Sequence, residues 1–305
     1  MGMMGAGHPI AMQPGMGPGM PGTAAAVLMQ DEFGTRPRVA PTWMPVPGPI
    51  PGVPPGLEYL AMVDSVMIFQ EREPLEFMLG YETTNKYRVT NAAREQIYYA
   101  VEESEFFERQ WYGNARPFTI HIIDNAQRDV MTVHSPYRAF SGVACCGCCG
   151  DACSAKCFVE VPPRVPVTRK ITIYHPVVLC FSRPNQISMV QQRRGCCSNV
   201  FEVADNQGSP FLKIRGPCCG GAMRVDVGFP VLTMDNFTIG SINKHWGGYL
   251  REIMTDADIF SATFPCDLDI RAKAGLLAAT FMIDFMMFED DQRTKNERRG
   301  GHPMY

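Results

Sequence analysis

Short apolar runs that alternate with turn-forming residues make up most of the chain after Leu57. Each run is rich in β-branched and aromatic side chains, and polar pairs such as Asp124-Asn125 separate neighbouring runs. Regular short strands with turns between them are typical of an antiparallel sandwich or barrel, so the fold class is mainly β. The predicted strands are Lys86–Thr90, Gln96–Glu102, Phe118–Ile123, Asp129–His134, Lys170–His175, Gln186–Gln191, Asn199–Ala204, Phe211–Arg215, Met223–Val227 and Phe237–Ile242.

A different pattern begins at Ile270, where helical character continues to Phe288, and the apolar run inside this segment is Ala274–Phe288, which is 15 residues long. A bilayer span needs roughly 20 apolar residues, and one Asp in hydrocarbon costs about 3 kcal/mol. The run is shorter and contains Asp284, so a helix buried in a core is favoured. Arg271 and Lys273 before the run fit an N-inside span, which stays the alternative. The residues assigned to this helix are Ala274, Leu276, Leu277, Phe281, Ile283, Asp284, Phe285 and Phe288.

Residues 1–56 have a low-complexity composition that predicts a disordered tail. They contain 12 of the 25 prolines and 11 of the 28 glycines, and too few large apolar residues to offset the entropy of ordering. No signal peptide is expected at the N-terminus. Pro51 and Pro54 form a PxxP pattern that an SH3 or WW domain could bind, and a passive tail is the alternative. The domain prediction is a tail over 1–56, a folded domain over 57–289 and a polar tail over 290–305.

Charge and cysteine content narrow the function classes. The net charge of −3 gives no basic field that would attract nucleic acid, so no nucleic-acid partner is expected. Twelve cysteines in a chain without a signal peptide argue against a disulfide framework. Cys145, Cys146, Cys148 and Cys149 lie close together and could be S-acylated, hold Zn²⁺ with further cysteines, or be inert.

An acidic segment of calcium-loop length precedes the C-terminal helix. Asp256, Asp258 and Asp267 occupy positions 1, 3 and 12 of this segment, where Ca²⁺ would find carboxylate ligands. Position 6 lacks the glycine of an EF-hand, which predicts weak affinity. The alternative is a surface turn whose acids cap the next element. The backbone carbonyls that would complete the site belong to Phe260, Ala262 and Phe264.

Six segments of the sequence resemble the phospholipid scramblase family in order and spacing. They are PPGLEYL (54–60), CCGCC (145–149), IRGPC (214–218), INKHWGGYLRE (242–252), DADIFSATFPCDLD (256–269) and FMIDFMMFE (281–289). The resemblance implies a tubby-like antiparallel β-barrel around a central hydrophobic C-terminal helix. It also implies Ca²⁺ as a weakly bound cofactor of residues 256–267 and covalent palmitate on the 145–149 stretch.

The resemblance further implies a lipid translocator rather than an enzyme. We expect Ca²⁺-stimulated, ATP-independent and bidirectional phospholipid scrambling between leaflets of the plasma membrane. Most of the chain would be cytoplasmic, with a single-pass or lipid-anchored attachment, and the chain could self-associate. The alternative is a palmitoylated membrane-anchored adaptor whose barrel binds lipid and whose tail binds signalling domains.

Overall fold

The computed structural model describes residues 28–30, 37–39, 42–71, 83–103, 117–136, 154–161, 185–194, 199–217, 226–245 and 258–288. The chain divides into two compact units, residues 1–41 and residues 42–305. In the first unit, strand β1 (Leu28–Gln30) pairs antiparallel with strand β2 (Pro37–Val39). The second unit holds all the other described strands and helices.

A closed barrel of twelve strands forms the second unit, and this confirms the predicted mainly β fold class. Each strand pairs antiparallel with the next strand in sequence, and the last strand closes the barrel by pairing with the first. The strands are β3 (Ser65–Glu71), β4 (Thr83–Thr90), β5 (Gln96–Glu103), β6 (Phe118–Ile123), β7 (Asp129–Ser135), β8 (Lys156–Glu160), β9 (Gln186–Arg194), β10 (Asn199–Ala204), β11 (Pro210–Arg215), β12 (Val227–Thr233), β13 (Thr238–His245) and β14 (Ile259–Thr263).

Most predicted strands are present, but four strands were not predicted. Strands β3, β8 and β14 were missed, and β12 begins where the predicted strand Met223–Val227 ends. Gly228 and Pro230 interrupt the apolar pattern of β12, and a proline normally argues against a strand inside a sheet. The predicted strand Lys170–His175 lies outside the described residues.

Helix α2 (Ile270–Met287) fills the barrel, as predicted for a core helix. Every residue from Ala272 to Phe285 is buried, because the barrel wall surrounds the helix on all sides. Phe285 stacks on Phe118 of β6 with 4.3 Å between ring centroids. Asp269 caps the N-terminus of the helix, since its carboxylate accepts the backbone N–H of Arg271 at 2.8 Å.

No helix within the described ranges has both the length and the apolar character needed to cross a membrane.

Helix α2 packs closely against the wall at Gly275. A Cβ atom at this position would lie 2.4 Å from Val203 Cγ1 of β10 and 2.7 Å from Ser188 Oγ of β9. Real Cβ atoms essentially never show contacts below 3.0 Å. The glycine therefore sets how deeply the helix packs against these two strands.

The packed part of the second unit begins at Thr42, earlier than the predicted domain start at residue 57. Trp43 bridges to Gln96 of β5, and the N–H of Met44 donates to the Gln96 carbonyl at 2.9 Å. The hydroxyl of Tyr98 donates to the carbonyl of Gly56 at 2.7 Å. Residues 42–56 thus pack on the barrel and lead into helix α1 (Glu58–Ala61).

Candidate functional site

Two carboxylates of the predicted Ca²⁺ segment lie at opposite ends of β14. Asp258 directly precedes the strand, and Asp267 lies in the exposed turn between the strand and α2. At roughly 3.3 Å per residue, the strand carries the chain about 17 Å from Asp258 to Thr263. Ligand oxygens of one Ca²⁺ ion lie within about 5 Å of each other, given Ca–O distances of about 2.3–2.6 Å. The structure therefore does not bring these two carboxylates together.

The other predicted ligands belong to the barrel wall. Phe260 and Ala262 are buried inside the barrel, and the backbone of β14 pairs with β13 on one side and β3 on the other. The N–H of Phe264 donates to the carbonyl of Asp64 at 2.8 Å. Among the described residues, no group of three His, Cys, Asp or Glu side chains is placed to hold a metal ion. The predicted set does not fit one Ca²⁺ ion in this arrangement, and Asp256 lies outside the described residues.

Asp258 faces Lys244 on the neighbouring strand β13. The Asp258 Oδ2 atom lies 3.1 Å from Lys244 Nζ, and the two side chains are only 15% and 8% exposed. The ammonium also lies 3.9 Å from the ring centroid of Phe288, the C-cap residue of α2. The Phe288 ring makes edge contacts with Phe260 and Phe229, with 5.9 and 6.5 Å between centroids. We name these five residues the helix-end cluster.

Buried polar side chains line the same end of the barrel interior. Asn85 donates to the carboxylate of Glu102 at 2.8 Å, and Gln70 donates to the amide oxygen of Asn85 at 3.1 Å. On the helix, Asp284 accepts a hydrogen bond of 2.9 Å from the hydroxyl of Tyr87. Burial of a carboxylate is costly without hydrogen bonds, and these contacts offset part of that cost for Glu102 and Asp284.

Lys273 in the first turn of α2 is fully buried. Its ammonium donates to the backbone carbonyls of Leu60, Val63 and Cys266 at 3.0, 2.8 and 2.7 Å. The carbonyl of Ala61 lies further away, at 3.4 Å. We name these carbonyls the carbonyl cradle. Because α1 ends at Ala61, the cradle joins the C-terminal end of α1 to the N-terminal end of α2.

The surroundings of Lys273 disfavour its charged form. Burial lowers the pKa of Lys273 below its usual value, and the charges of Cys266, Asp267 and Asp64 offset part of this effect. Arg271 and Lys273 both precede the apolar run in the sequence, but their surroundings in the structure differ. Arg271 is half-exposed and pairs with Asp269 at 3.0 Å, whereas Lys273 is an internal anchor of the helix.

A second titratable cluster lies on the outer side of the wall. His121 of β6 contacts Asp129 through Nδ1 at 2.6 Å and Glu103 through Nε2 at 3.4 Å. Burial lowers the pKa of His121, but the hydrogen bonds and charges of Asp129 and Glu103 raise it more, to about 9. The imidazolium therefore acts as a cation that joins β5, β6 and β7 at neutral pH.

Several predicted functional residues lie outside the described residues, but the strands that flank them are described. These residues are Cys145, Cys146, Cys148, Cys149 and Asp256.

The strand ends that lead to these residues share one end of the barrel. Ser135 and Lys156 flank the connection that contains the cysteines, and the Ser135 hydroxyl donates to the Lys156 carbonyl at 2.9 Å. His245 and Ile259, which pair with each other, flank the connection that contains Asp256. Because strands alternate in direction around a closed antiparallel barrel, both pairs lie at one end, where Phe288 also lies.

The predicted partner-binding prolines lie in a turn. The N–H of Val53 donates to the carbonyl of Ile50 at 3.1 Å, and Gly52 has a φ of +81°. Polyproline II helices, which SH3 and WW domains bind, need φ near −75° at each position. Pro51 and Pro54 therefore do not present a polyproline II segment in this conformation.

By its fold, the protein is a closed antiparallel β-barrel filled by an apolar C-terminal helix. The chain belongs to the Scramblase family, whose model matches residues 44–290. It is 38% identical over 258 residues to phospholipid scramblase 1 of Mus musculus, covering 84% of this chain and 70% of the relative. It is 37% identical over 254 residues to phospholipid scramblase 2 of Bos taurus, covering 82% and 78%. It is 35% identical over 251 residues to phospholipid scramblase family member 5 of Homo sapiens, covering 81% and 83%.

No solved structure matches the chain.

Proposed function

We propose that the chain moves phospholipids between the two leaflets of a membrane, in both directions, without ATP and without a chemical step. The observation that carries the proposal is the similarity to proteins named phospholipid scramblases, at 38% identity over 84% of this chain. The family match over residues 44–290 includes every strand of the barrel and the whole of α2. The proposed activity therefore belongs to the helix-filled barrel.

The proposed attachment is to the cytoplasmic face of the plasma membrane through acyl chains. Thioester-linked palmitate on Cys145, Cys146, Cys148 and Cys149 would supply several chains at one point, and stable anchoring needs two membrane signals. The end of the barrel at which Ser135 and Lys156 lie would then face the lipid. Palmitate labelling that disappears in the four-serine variant and persists in the Cys266→Ser control would support this anchor.

Ca²⁺ stimulation is a separate part of the proposal. The family resemblance motivates it, but one ion held by both Asp258 and Asp267 does not fit the described geometry. Self-association and SH3 or WW binding are likewise separate proposals. For Pro51 and Pro54, domain binding would require the turn at Gly52 to open.

The experiment that tests the main proposal is reconstitution of the full chain into vesicles that carry a fluorescent phospholipid. Dithionite bleaches only lipids in the outer leaflet, so scrambling is measured as bleaching beyond the outer-leaflet share. The measurement is made without nucleotide, at several Ca²⁺ concentrations, and with labelled lipid starting in either leaflet. An enclosed soluble fluorophore reports leakage, and heat-denatured chain is the negative control.

Bleaching that approaches completion without leakage would support scrambling, and its Ca²⁺ dependence would decide the separate calcium proposal. If folded, inserted chain gives no bleaching beyond the outer-leaflet share at any Ca²⁺ concentration, the chain does not scramble lipid alone. The palmitoylated adaptor would then be the better explanation of the acyl-chain cysteines.

A further inference from the structure

The outer side of the wall holds two carboxylates and one imidazole on three neighbouring strands. Glu103 ends β5, His121 lies within β6, and Asp129 begins β7. His121 faces outward, because Ile120 and Ile122 on either side of it are buried in the core and side chains alternate along a strand. The three side chains are between 22% and 39% exposed, so solvent reaches them. The cluster is therefore separate from the interior contacts that hold α2.

A β-bulge places the carboxylate of Asp129 beside the ring of His121. The register of β6 on β7 shifts between Ile122 and Ile123, so that Ile123 pairs with Asp129 and β7 contains one extra residue. Without this residue, Asp129 would lie on the inner face of the wall, because side chains alternate along a strand. Bulges re-aim side chains in this way and are frequent next to functional sites. The local backbone thus brings the second carboxylate to the imidazole.

The two nitrogens of the His121 ring contact their carboxylates at different distances. Nδ1 lies 2.6 Å from Asp129 Oδ2, and such a short contact is typical of a charge-assisted hydrogen bond. Because a carboxylate can only accept, Nδ1 carries the proton and the bond fixes the orientation of the ring. Nε2 lies 3.4 Å from Glu103 Oε2, which is longer than the usual N–H···O distance of about 2.7–3.2 Å. Nε2 thus lies close to a carboxylate oxygen without a good hydrogen bond to it.

The separation of Nε2 and Oε2 fits one edge of a tetrahedral metal site. Zn²⁺ binds a histidine nitrogen at about 2.0–2.1 Å and a carboxylate oxygen at about 2.0–2.2 Å. At the tetrahedral angle of about 109°, these bonds place the two ligand atoms about 3.3–3.5 Å apart, and the observed separation is 3.4 Å. A histidine that binds a metal through one nitrogen almost always donates its other N–H to an acceptor such as a carboxylate. Asp129 occupies this outer position.

We propose that His121 Nε2 and Glu103 Oε2 bind Zn²⁺ or a divalent ion of similar chemistry, and that Asp129 positions the ring. The ion replaces the Nε2 proton, which passes to solvent, and its two charges balance the two carboxylates. Water fills the remaining positions, because both ligand side chains are partly exposed. The site uses two direct ligands, and the described residues form no group of three. Imidazole suits Zn²⁺ whereas Ca²⁺ takes oxygen ligands, so this site is distinct from the Ca²⁺ proposal for residues 256–267.

Nuclear magnetic resonance of the histidine rings in the full chain, titrated with Zn²⁺, tests the proposal. The ring signals report the site itself, whereas total zinc binding would include the twelve cysteines. Zn²⁺ should shift the His121 signals in a saturable way. A positioning role predicts that Asp129→Asn lowers the Zn²⁺ affinity of His121 roughly tenfold to hundredfold. His245→Gln is the matched control, because His245 contacts the carboxylate of Asp226 at 3.6 Å but a serine hydroxyl through its other nitrogen.

The proposal requires a saturable His121 shift in the natural chain and in His245→Gln, and the loss of saturation in Glu103→Ala. No shift of the His121 ring at Zn²⁺ concentrations that saturate the cysteines would overturn it. Equal Zn²⁺ affinity in Glu103→Ala and the natural chain would also overturn it, because the carboxylate would then not be a ligand. An affinity that is unchanged in Asp129→Asn would overturn the positioning role of this residue. Backbone amide spectra of each variant show whether the barrel is folded, and the titration of the natural chain decides the proposal without any variant.

Discussion

Replacement of Lys273 by Met tests whether the carbonyl cradle anchors the helix. The methionine has a similar length, but it cannot donate to the carbonyls of Leu60, Val63 and Cys266, which now accept at 3.0, 2.8 and 2.7 Å. At about 2 kcal/mol for each acceptor left without a donor, the loss is about 6 kcal/mol. Because methionine is uncharged, the variant avoids the cost of burying an ammonium, and this offsets roughly half of the loss. The net expectation is a loss of about 3 kcal/mol in the free energy of unfolding.

The assay is urea unfolding of the natural chain and the variant, followed by circular dichroism. With a slope of about 3 kcal/mol per molar urea, the midpoint falls by about 1 M. Arg271→Met is the control, because its ion pair with Asp269 is about half-exposed and such pairs contribute only about 0–1 kcal/mol. A loss below about 1 kcal/mol for Lys273→Met would refute the reasoning, since the carbonyls would then be satisfied without the lysine.

Three further predictions concern the wall and the helix. The pKa of His121 is raised to about 9, so the charged imidazole stabilises the fold fully below pH 6.5, and this contribution is lost as the pH rises through 9. In urea titrations, the free energy of unfolding of the natural chain should therefore exceed that of His121→Gln by about 2–3 kcal/mol less at pH 9 than at pH 6.5. Gly275→Ala should lower the free energy of unfolding, measured by thermal unfolding, by about 1–3 kcal/mol, because the added Cβ meets the wall and this outweighs the better helix propensity of alanine. Gly48→Ala is the control and should change nothing measurable, because a Cβ at Gly48 has no atom within 4 Å. Tyr87→Phe should cost about 1–3 kcal/mol in urea unfolding because it removes the donor to Asp284, and an unchanged midpoint would show that the carboxyl has another adequate donor.

The strand pattern and the C-terminal helix were predictable because both follow from local periodicity. Ile270–Phe288 was predicted as a core helix, and the structure has Ile270–Met287 inside the barrel. The length of the apolar run and its single acid were enough for this conclusion, since neither suits a bilayer span. The alternative interpretation of the acidic segment, a turn whose acids cap the next element, holds for Asp269, which caps the N-terminus of α2.

The acidic segment shows what a linear spacing cannot supply. Three acids at loop-like intervals suggested one ligand set, but the residues between Asp258 and Asp267 include β14, whose alternating burial places Phe260 and Ala262 inside the barrel. A strand separates its ends, whereas an ion-binding loop brings them together. The alternation was present in the sequence, with Phe260 and Ala262 apolar and Ser261 and Thr263 polar. It could have indicated a strand.

The internal charges were not predictable, because their partners are distant in sequence. Lys273 is separated by 213 residues from Leu60, and Asp284 by 197 residues from Tyr87. No local pattern connects such positions, and an isolated lysine beside an apolar run has the same local appearance at a membrane boundary and in a core. Only the closure of the barrel decides between these environments.

These internal contacts restrict how α2 could take part in lipid movement. Lys273 and Asp284 are about 16 Å apart along the helix, at 1.5 Å per residue, and each has a partner inside the barrel. Transfer of the helix into hydrocarbon would expose both ionisable side chains, at about 3 kcal/mol each on insertion scales, and would leave the carbonyl cradle without its donor. The combined cost is comparable to the stability of a whole domain. Lipid movement by this chain is therefore better explained by a mechanism that keeps the buried turns of α2 inside the barrel.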